Sequence, residues 1–194
     1  MNPESLKYKL YVFDLDDTLY RETDYLFAAY RRIAGFVANG DAQRAEAYYR
    51  FLCDTFVNEG RTQLFEKFQA QFGLAVETAQ LLDILRHTDC PLHLYEAMRQ
   101  QIHTLLQQGK RVAVLTNGNV EQQRQKVHNL RLESVFPEVQ ICYAALIESK
   151  PSPKALQYLM QQNGVDASQT LLIGDSDTDR QTARNAGVDF RNIK

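Results

Sequence analysis

The spacing of apolar residues divides the chain into three parts. Residues 8–20 contain the apolar run YVF, which predicts a buried strand followed by a loop. Residues 21–92 carry apolar side chains three and four positions apart, interrupted at Gly40, Gly60 and Gly73, and this pattern predicts four helices. From residue 93 onward, short runs rich in β-branched residues alternate with helical patterns.

This alternation predicts the fold class. The runs RVAVLT, EVQICY, TLLIGD and VDFRNI predict further strands, and NVEQQRQKVHNLRL predicts one helix with Asn119 as its N-cap. Strands and helices in this order favour an α/β fold, a Rossmann-like parallel sheet with helices on both faces. We therefore expect a core of residues 1–20 and 93–194 and a four-helix cap of residues 21–92 that lies over the strand ends.

Composition narrows the class of protein. The 194 residues are 44% hydrophobic with a net charge of −2, which favours an ordinary folded protein and predicts no nucleic-acid or membrane partner. No apolar run approaches the ~20 residues of a membrane span, and the first residues lack the pattern of a signal peptide. Three widely spaced cysteines favour a reducing compartment. We expect a cytoplasmic monomer or homodimer.

Polar residues collect where the predicted strands end. Ligands of open α/β sheets bind at the carboxyl ends of the strands, and these ends carry Asp14, Asp16, Thr116, Asn117, Gly118, Lys150, Asp175 and Asp179. Clustered carboxylates with few cationic side chains indicate a bound cation, and oxygen ligands without His or Cys favour Mg²⁺. A metal and a lysine together suit an anionic substrate.

The spacing of Asp14 and Asp16 sharpens this hypothesis. Alternate residues of an extended segment point the same way, so both carboxylates can serve one site while Leu15 packs behind them. The sequence shows no Ser-His-Asp arrangement and no Walker-type loop, which leaves a carboxylate as the nucleophile. One aspartate can attack phosphorus, and the other can protonate the leaving oxygen and later activate water.

Four segments together resemble the ordered motifs of the haloacid dehalogenase superfamily. They are DLDDT (14–18), LTNG (115–118), KP (150–151) and GDSDTD (174–179), each after a predicted strand. The resemblance covers residues 8–20 and 93–192, and the helical insertion resembles the α-helical cap of the family. It implies that Asp14 is the nucleophile and a metal ligand, and that Asp16 is the general acid/base with its backbone carbonyl on the metal.

The resemblance also implies roles for the other motif residues. Thr116, with backbone donors at Asn117 and Gly118, would bind the phosphoryl group, and Lys150 would pair with that group and with Asp14. Asp175 would bind the metal, whereas Asp179 would bind it through water or orient Lys150. Thr18 would support the first loop. Apart from the resemblance, we expect Asp17 to be structural or solvated and Asp177 to cap a helix.

The function expected from the resemblance is Mg²⁺-dependent hydrolysis of a phosphomonoester. The substrate would be a small metabolite such as a sugar phosphate, phosphoglycolate or a nucleoside monophosphate. Arg61, which follows a predicted turn at Glu59-Gly60, is a candidate contact from the cap. The second aspartate, Asp16, favours phosphate chemistry over dehalogenation. A phosphomutase of the same superfamily is the alternative, and a non-catalytic relative that binds a phosphorylated ligand or a partner protein is a third hypothesis.

Overall fold

The computed structural model describes residues 7–193 and contains a five-stranded parallel sheet. The strands are β1 (Leu10–Phe13), β2 (Arg111–Thr116), β3 (Gln140–Tyr143), β4 (Thr170–Gly174) and β5 (Asp189–Asn192). Their order across the sheet is β3-β2-β1-β4-β5, and each neighbouring pair is parallel. The Rossmann-like α/β fold predicted from the alternating pattern is confirmed.

Strand β1 is central, and all four of its side chains are fully buried. A strand covered on both faces has no solvent side, which explains its continuous apolar sequence. Its register pairs Phe13 with Val114 of β2 and Ile173 of β4. The residues that follow these positions are therefore delivered to one edge of the sheet.

Helices of the core connect these strands. They are α5 (Glu96–Gln107), α6 (Val120–Asn129), α7 (Leu132–Val135), α8 (Lys154–Gln162) and α9 (Asp177–Ala186). Asn119 caps α6 by accepting a hydrogen bond from Gln122 N, as predicted. The prediction of one continuous helix through residue 132 is wrong, because Arg131 has a left-handed φ of 53° and separates α6 from the short α7.

One face of the sheet packs against α8 and α9. Alternate strand residues such as Leu10, Val12 and Leu115 share this face, as the two-residue period of a strand requires. The rest of the buried cluster includes Leu156, Leu159, Met160, Leu172 and Ala183. Because this packing fixes the strands against the helices, the loops at the strand ends are held by a rigid support.

Residues 23–90 form a separate helical unit. Its helices are α1 (Glu22–Ala38, which begins one residue earlier), α2 (Ala42–Glu59), α3 (Leu64–Phe72) and α4 (Thr78–Arg86). Aromatic edge-to-face contacts join α2 to α3: the ring centroid of Tyr48 lies 5.4 Å from that of Phe68 and 4.7 Å from that of Phe72. The Tyr25 hydroxyl donates a hydrogen bond to the Leu85 carbonyl, 2.6 Å away, and joins α1 to α4.

The chain thus divides into two compact units. One comprises the described residues up to Glu22 together with those from Pro91 onward, and the other is Thr23–Cys90. The boundaries predicted from the sequence, 20/21 and 92/93, each lie two residues from the observed ones at 22/23 and 90/91. The role of the helical unit as a cap stays a prediction. Within residues 7–193, none of the helices combines the length and apolar character needed to cross a bilayer.

Candidate active site

The carboxyl ends of the three central strands carry most of the motif residues. Asp14 continues the sheet ladder beyond β1, since its N–H donates to the Ile173 carbonyl at 2.8 Å. Thr116 is the last residue of β2, and Asp175 directly follows β4. The parallel register therefore brings residues that are up to 161 positions apart in sequence to one edge of the sheet.

A buried lysine joins two of the aspartates. Lys150 Nζ lies 2.6 Å from Asp14 Oδ1 and 2.5 Å from Asp179 Oδ1. Ligand atoms of Asp14, Asp175 and Asp179 all lie within 4.8 Å of one another. We call these three aspartates and Lys150 the acidic cluster. It brings together four of the residues singled out from the sequence.

The acidic cluster holds more negative than positive charge. Burial raises the pKa of Asp14 to about 7; the nearby Asp179 also raises it, and the Lys150 ammonium offsets only part of the effect. Burial alone would lower the pKa of Lys150, but the adjacent Asp14 and Asp179 outweigh it, so this pKa is raised. The pKa of Asp14 is thus raised chiefly by burial, and that of Lys150 by its two carboxylate partners.

Asp179 is fixed by the start of α9. Its Oδ2 accepts hydrogen bonds from the Ser176 hydroxyl at 2.5 Å and the Ser176 N–H at 3.3 Å, and Ser176 caps the helix in return. The expectation that Asp177 caps this helix is wrong, because Asp177 is the first helical residue and its side chain is fully exposed. Gly174 leaves room for Asp179, since a Cβ there would lie 2.6 Å from Asp179 Oδ2.

Asn117 holds the backbone of Lys150. Its side-chain amide donates to the Lys150 carbonyl at 3.0 Å and accepts from the Lys150 N–H at 2.8 Å. This paired contact fixes the loop from which the lysine side chain reaches the acidic cluster. From the sequence we expected a backbone donor at this position, and the contribution of the side chain was missed. Gly118 follows with a φ of 108°, which favours glycine.

The Asp16 side chain bonds to a different lysine. Lys126 Nζ lies 2.8 Å from Asp16 Oδ1 and 3.2 Å from Glu22 Oε1. Although burial would raise the pKa of Asp16, the Lys126 ammonium and hydrogen bonds from Tyr20 and Gln123 lower it below its usual value. Asp14 and Asp16 are thus two residues apart in sequence yet have pKa values shifted in opposite directions.

Gln123, Lys126 and Tyr20 were not identified from the sequence. Gln123 Nε2 lies 2.8 Å from Asp16 Oδ2 and 2.5 Å from Thr116 Oγ1, and the Tyr20 hydroxyl donates to Asp16 Oδ1 at 2.7 Å. The available signal was the composition of α6, which has almost no apolar face although it follows a buried strand. Such a helix must bury polar side chains, and Gln123 and Lys126 are only 3% and 1% exposed.

Three further residues from the sequence analysis lie outside these contacts. Asp17 is structural, because its carboxylate accepts the Glu22 N–H at 2.9 Å while its own φ is 53°. Thr18 is fully buried, and its hydroxyl has no hydrogen-bond partner among the described residues. Arg61 is exposed in the helical unit just after α2, with its guanidinium 6.0 Å from the Phe56 ring centroid.

The fold and the site define the class of this protein. A Rossmann-like parallel sheet carries an acidic cluster with a buried lysine at its carboxyl edge, an arrangement suited to a cation and an anion together. The chain belongs to the haloacid dehalogenase-like hydrolase family, whose family model matches residues 11–193. The resemblance stated from the four motifs is thereby confirmed.

Several curated relatives are phosphoglycolate phosphatases. The Rhodospirillum rubrum protein is 31% identical over 193 residues, an alignment that covers 93% of this chain and 77% of the relative. The Aliivibrio fischeri protein is 36% identical over 95 residues, 49% of this chain and 41% of the relative. For the Vibrio parahaemolyticus protein the identity is 30%, over 64% of this chain and 48% of the relative. The chain thus spans less than half the length of the latter two.

Solved structures share the fold. A crystal structure of the candidate HAD-hydrolase YfnB from Bacillus subtilis, bound to magnesium, matches with a TM-score of 0.66 and 23% identity over 95% of this chain and 86% of that chain. A candidate β-phosphoglucomutase from Thermotoga maritima matches with a TM-score of 0.71 and 15% identity, over 95% of this chain and 84% of that one. At these identities the likeness concerns the fold alone.

The residues of the acidic cluster suit a hard divalent cation. The donor set consists of carboxylate oxygens, which Mg²⁺ prefers, and it contains no sulfur or imidazole ligand. The raised pKa of Asp14 points the same way, because a cation beside this buried carboxylate would stabilise its ionised form.

Proposed function

We propose that this protein is a Mg²⁺-dependent phosphomonoesterase that acts on a small phosphorylated metabolite through an aspartyl-phosphate. The observation that carries the proposal is the buried contact of Asp14 with Lys150 beside Asp175 and Asp179. A carboxylate nucleophile next to a fixed ammonium group suits attack on a phosphate ester, whose developing charge needs stabilisation. The phosphoglycolate phosphatases among its relatives support the same reaction class.

In the first half-reaction, an Asp14 oxygen attacks phosphorus and the alcohol leaves. Lys150 holds the attacking carboxylate and can neutralise a phosphoryl oxygen, since its ammonium carries three protons. Thr116 accepts a hydrogen bond from Gln123 through Oγ1, which favours donation of the Thr116 hydroxyl proton to a phosphoryl oxygen. Backbone N–H groups at Asn117 and Gly118 would complete the phosphate site.

Asp16 would move the protons. Its lowered pKa makes it a carboxylate before substrate binds, but the negative charge of a bound phosphate raises the pKa of a nearby carboxyl group and favours the protonated form. Asp16 then gives its proton to the leaving oxygen. In the second half-reaction the resulting carboxylate takes a proton from water, which attacks the phosphorus of the aspartyl-phosphate and regenerates Asp14.

The side chains of Asp14 and Asp175 and the backbone carbonyl of Asp16 would hold Mg²⁺, which supplies charge neutralisation for a phosphoryl oxygen when bound. Asp179 is in direct contact with Lys150, so we assign it the orientation of that lysine. The helical unit Thr23–Cys90 is proposed as the cap that excludes water, with Arg61 as a candidate contact for the leaving group. The three free cysteines support a reducing compartment such as the cytoplasm.

The proposal is tested by measuring phosphate release from a panel of phosphorylated metabolites in the presence of Mg²⁺. Phosphoglycolate comes first because of the relatives, followed by sugar phosphates and nucleoside monophosphates. Asp14→Asn should remove turnover, whereas Asp177→Asn, which alters a fully exposed aspartate three residues past β4, should retain it. Turnover by D14N at the wild-type rate would refute the nucleophile assignment. Formation of an isomerised ester without free phosphate would indicate the phosphomutase alternative.

A further inference from the structure

Lys126 occupies a place that the four motifs do not explain. It lies in the middle of α6, and only 1% of the residue is exposed. Lysine is rarely buried to this extent unless its charge is paired. Its ammonium lies between two carboxylates, 2.8 Å from Asp16 Oδ1 and 3.2 Å from Glu22 Oε1. The ion pair with Asp16, to which the mechanism assigns proton transfer, therefore offsets part of the free-energy cost of burying Lys126.

The other contacts of Asp16 come from equally buried groups. The Tyr20 hydroxyl shares Oδ1 with Lys126, and Gln123 donates to Oδ2 at 2.8 Å. Gln123 precedes Lys126 by three residues, so both side chains project from one face of α6. The Gln123 amide nitrogen also lies 2.5 Å from Thr116 Oγ1. The orientation of the Asp16 carboxylate is thereby tied to the proposed phosphate site.

We infer that Lys126 is a positioning residue that keeps the Asp16 carboxylate in a fixed position relative to Thr116, so that Asp16 can transfer a proton to the leaving group. The inference rests on the proposed function. Two neutral donors, Tyr20 and Gln123, constrain the carboxylate from two directions, and the ammonium adds a charged contact. Glu22, the first residue of α1, is a second carboxylate in contact with the ammonium, so a movement of Lys126 away from Asp16 would also break this ion pair.

The prediction concerns leaving groups. An alkyl phosphate has a poor leaving group that needs a proton from Asp16, whereas p-nitrophenyl phosphate releases a stable anion that does not. The ratio kcat/KM reports phosphoryl transfer to Asp14 and is independent of the later hydrolysis step. Lys126→Met should lower kcat/KM for the alkyl ester by roughly 10- to 100-fold, part of the 10²–10⁴-fold worth of positioned acid catalysis. For p-nitrophenyl phosphate the loss should stay below about 3-fold.

The comparison uses the best alkyl ester from the metabolite panel and p-nitrophenyl phosphate, both at saturating Mg²⁺. The ratio of the two kcat/KM values does not depend on the fraction of active protein, so partial unfolding does not obscure it. Should the Met variant not fold, Lys126→Gln keeps a donor and removes the charge. Lys7→Met is the matched control. Lys7 pairs with Asp189 at 3.0 Å, and Asp189 is the first residue of β5, so this pair lies away from the carboxyl ends of the strands. The substitution should leave the ratio unchanged.

Each outcome decides the inference. A selective loss on the alkyl ester supports it, whereas equal losses on both esters would mean that Lys126 only maintains the fold. Wild-type kcat/KM on the alkyl ester in a Lys126 variant would also overturn the inference while leaving the proposed function intact. A wild-type protein that hydrolyses neither ester nor any member of the panel would refute the proposed function, and the inference with it.

Discussion

Replacing Asp14 with asparagine should stabilise the cation-free protein at pH 8 while it removes activity. Asp14 is 7% exposed and shares the acidic cluster with two further carboxylates and one ammonium. Burial and the neighbouring Asp179 raise its pKa to about 7. Ionisation of Asp14 is therefore less favourable in the folded protein than in the unfolded chain, where the pKa has its ordinary value of 3.8.

The sign and size of the change in unfolding free energy follow from the difference between the folded and unfolded pKa values of Asp14. Because the folded pKa lies above the unfolded one, the contribution of Asp14 to stability is complete below pH 4 and is lost as the pH rises through 7. A shift from 3.8 to about 7 corresponds to about 4 kcal/mol of unfolding free energy at 1.36 kcal/mol per unit. The D14N variant lacks this loss. Its unfolding free energy relative to wild type should therefore increase by up to about 4 kcal/mol between pH 4 and pH 8.

The assay is urea unfolding followed by far-ultraviolet circular dichroism, since the chain contains no tryptophan. Both proteins are measured with chelator at pH 4 and pH 8. The wild type is measured again with Mg²⁺, which should narrow the difference in stability between the two proteins at pH 8 by stabilising the folded form. Asp177→Asn removes an exposed carboxylate and should show no comparable change. A D14N protein whose relative stability stays constant or falls with rising pH would refute the charge argument.

Three other perturbations test the site. Gly174→Ala would place a Cβ 2.6 Å from Asp179 Oδ2, so it should lower both the melting temperature and kcat. Gly35→Ala is the control, because a Cβ at residue 35 would have no atom within 4 Å. Equal effects of the two substitutions would contradict the close approach of Gly174 to Asp179. Asn117→Ala removes both bonds to the Lys150 backbone and should lower kcat roughly 10-fold or more with the fold intact; unchanged kinetics would exclude the positioning role. Chelation should stop turnover and added Mg²⁺ restore it, and undiminished activity in chelator would exclude a metal requirement.

Sequence pattern predicted the sheet and the motif positions because both depend on local chemistry. A strand buried on both faces must be continuously apolar, and polar residues directly after it must lie at its carboxyl end. Asp14 and Asp175 directly follow such strands and Thr116 ends one, so their convergence followed from parallel topology alone. The break between α6 and α7 escaped prediction, because Arg131 adopts a left-handed φ that the sequence does not signal.

The contacts of Asp16 could not be predicted in the same way. Gln123 and Lys126 lie on a helix whose sequence, VEQQRQKVHN, is polar on every side, so periodicity does not distinguish the buried face from the solvated one. The Asn117 side chain presents a related difficulty, since its partner is the backbone 33 residues away rather than a complementary side chain. Contacts set by tertiary packing between polar groups leave no periodic trace.

The distribution of the two lysines explains how adjacent motif aspartates can take different roles. Lys150 contacts Asp14 and Asp179, and Asp175 lies beside these two aspartates, so the acidic cluster carries a net charge of −2 when all are ionised, and a divalent cation would balance it. Lys126 faces two carboxylates, so Asp16 stays the more readily ionised of the two motif aspartates. A cation would therefore act mainly on the pKa of Asp14, whereas the state of Asp16 would follow the charge of the bound ester. Burial and the neighbouring carboxylates, which together raise the pKa of Asp14, would also favour a bound cation at the acidic cluster. Under the proposed function, proton transfer would then fall to Asp16, the aspartate that has its own lysine.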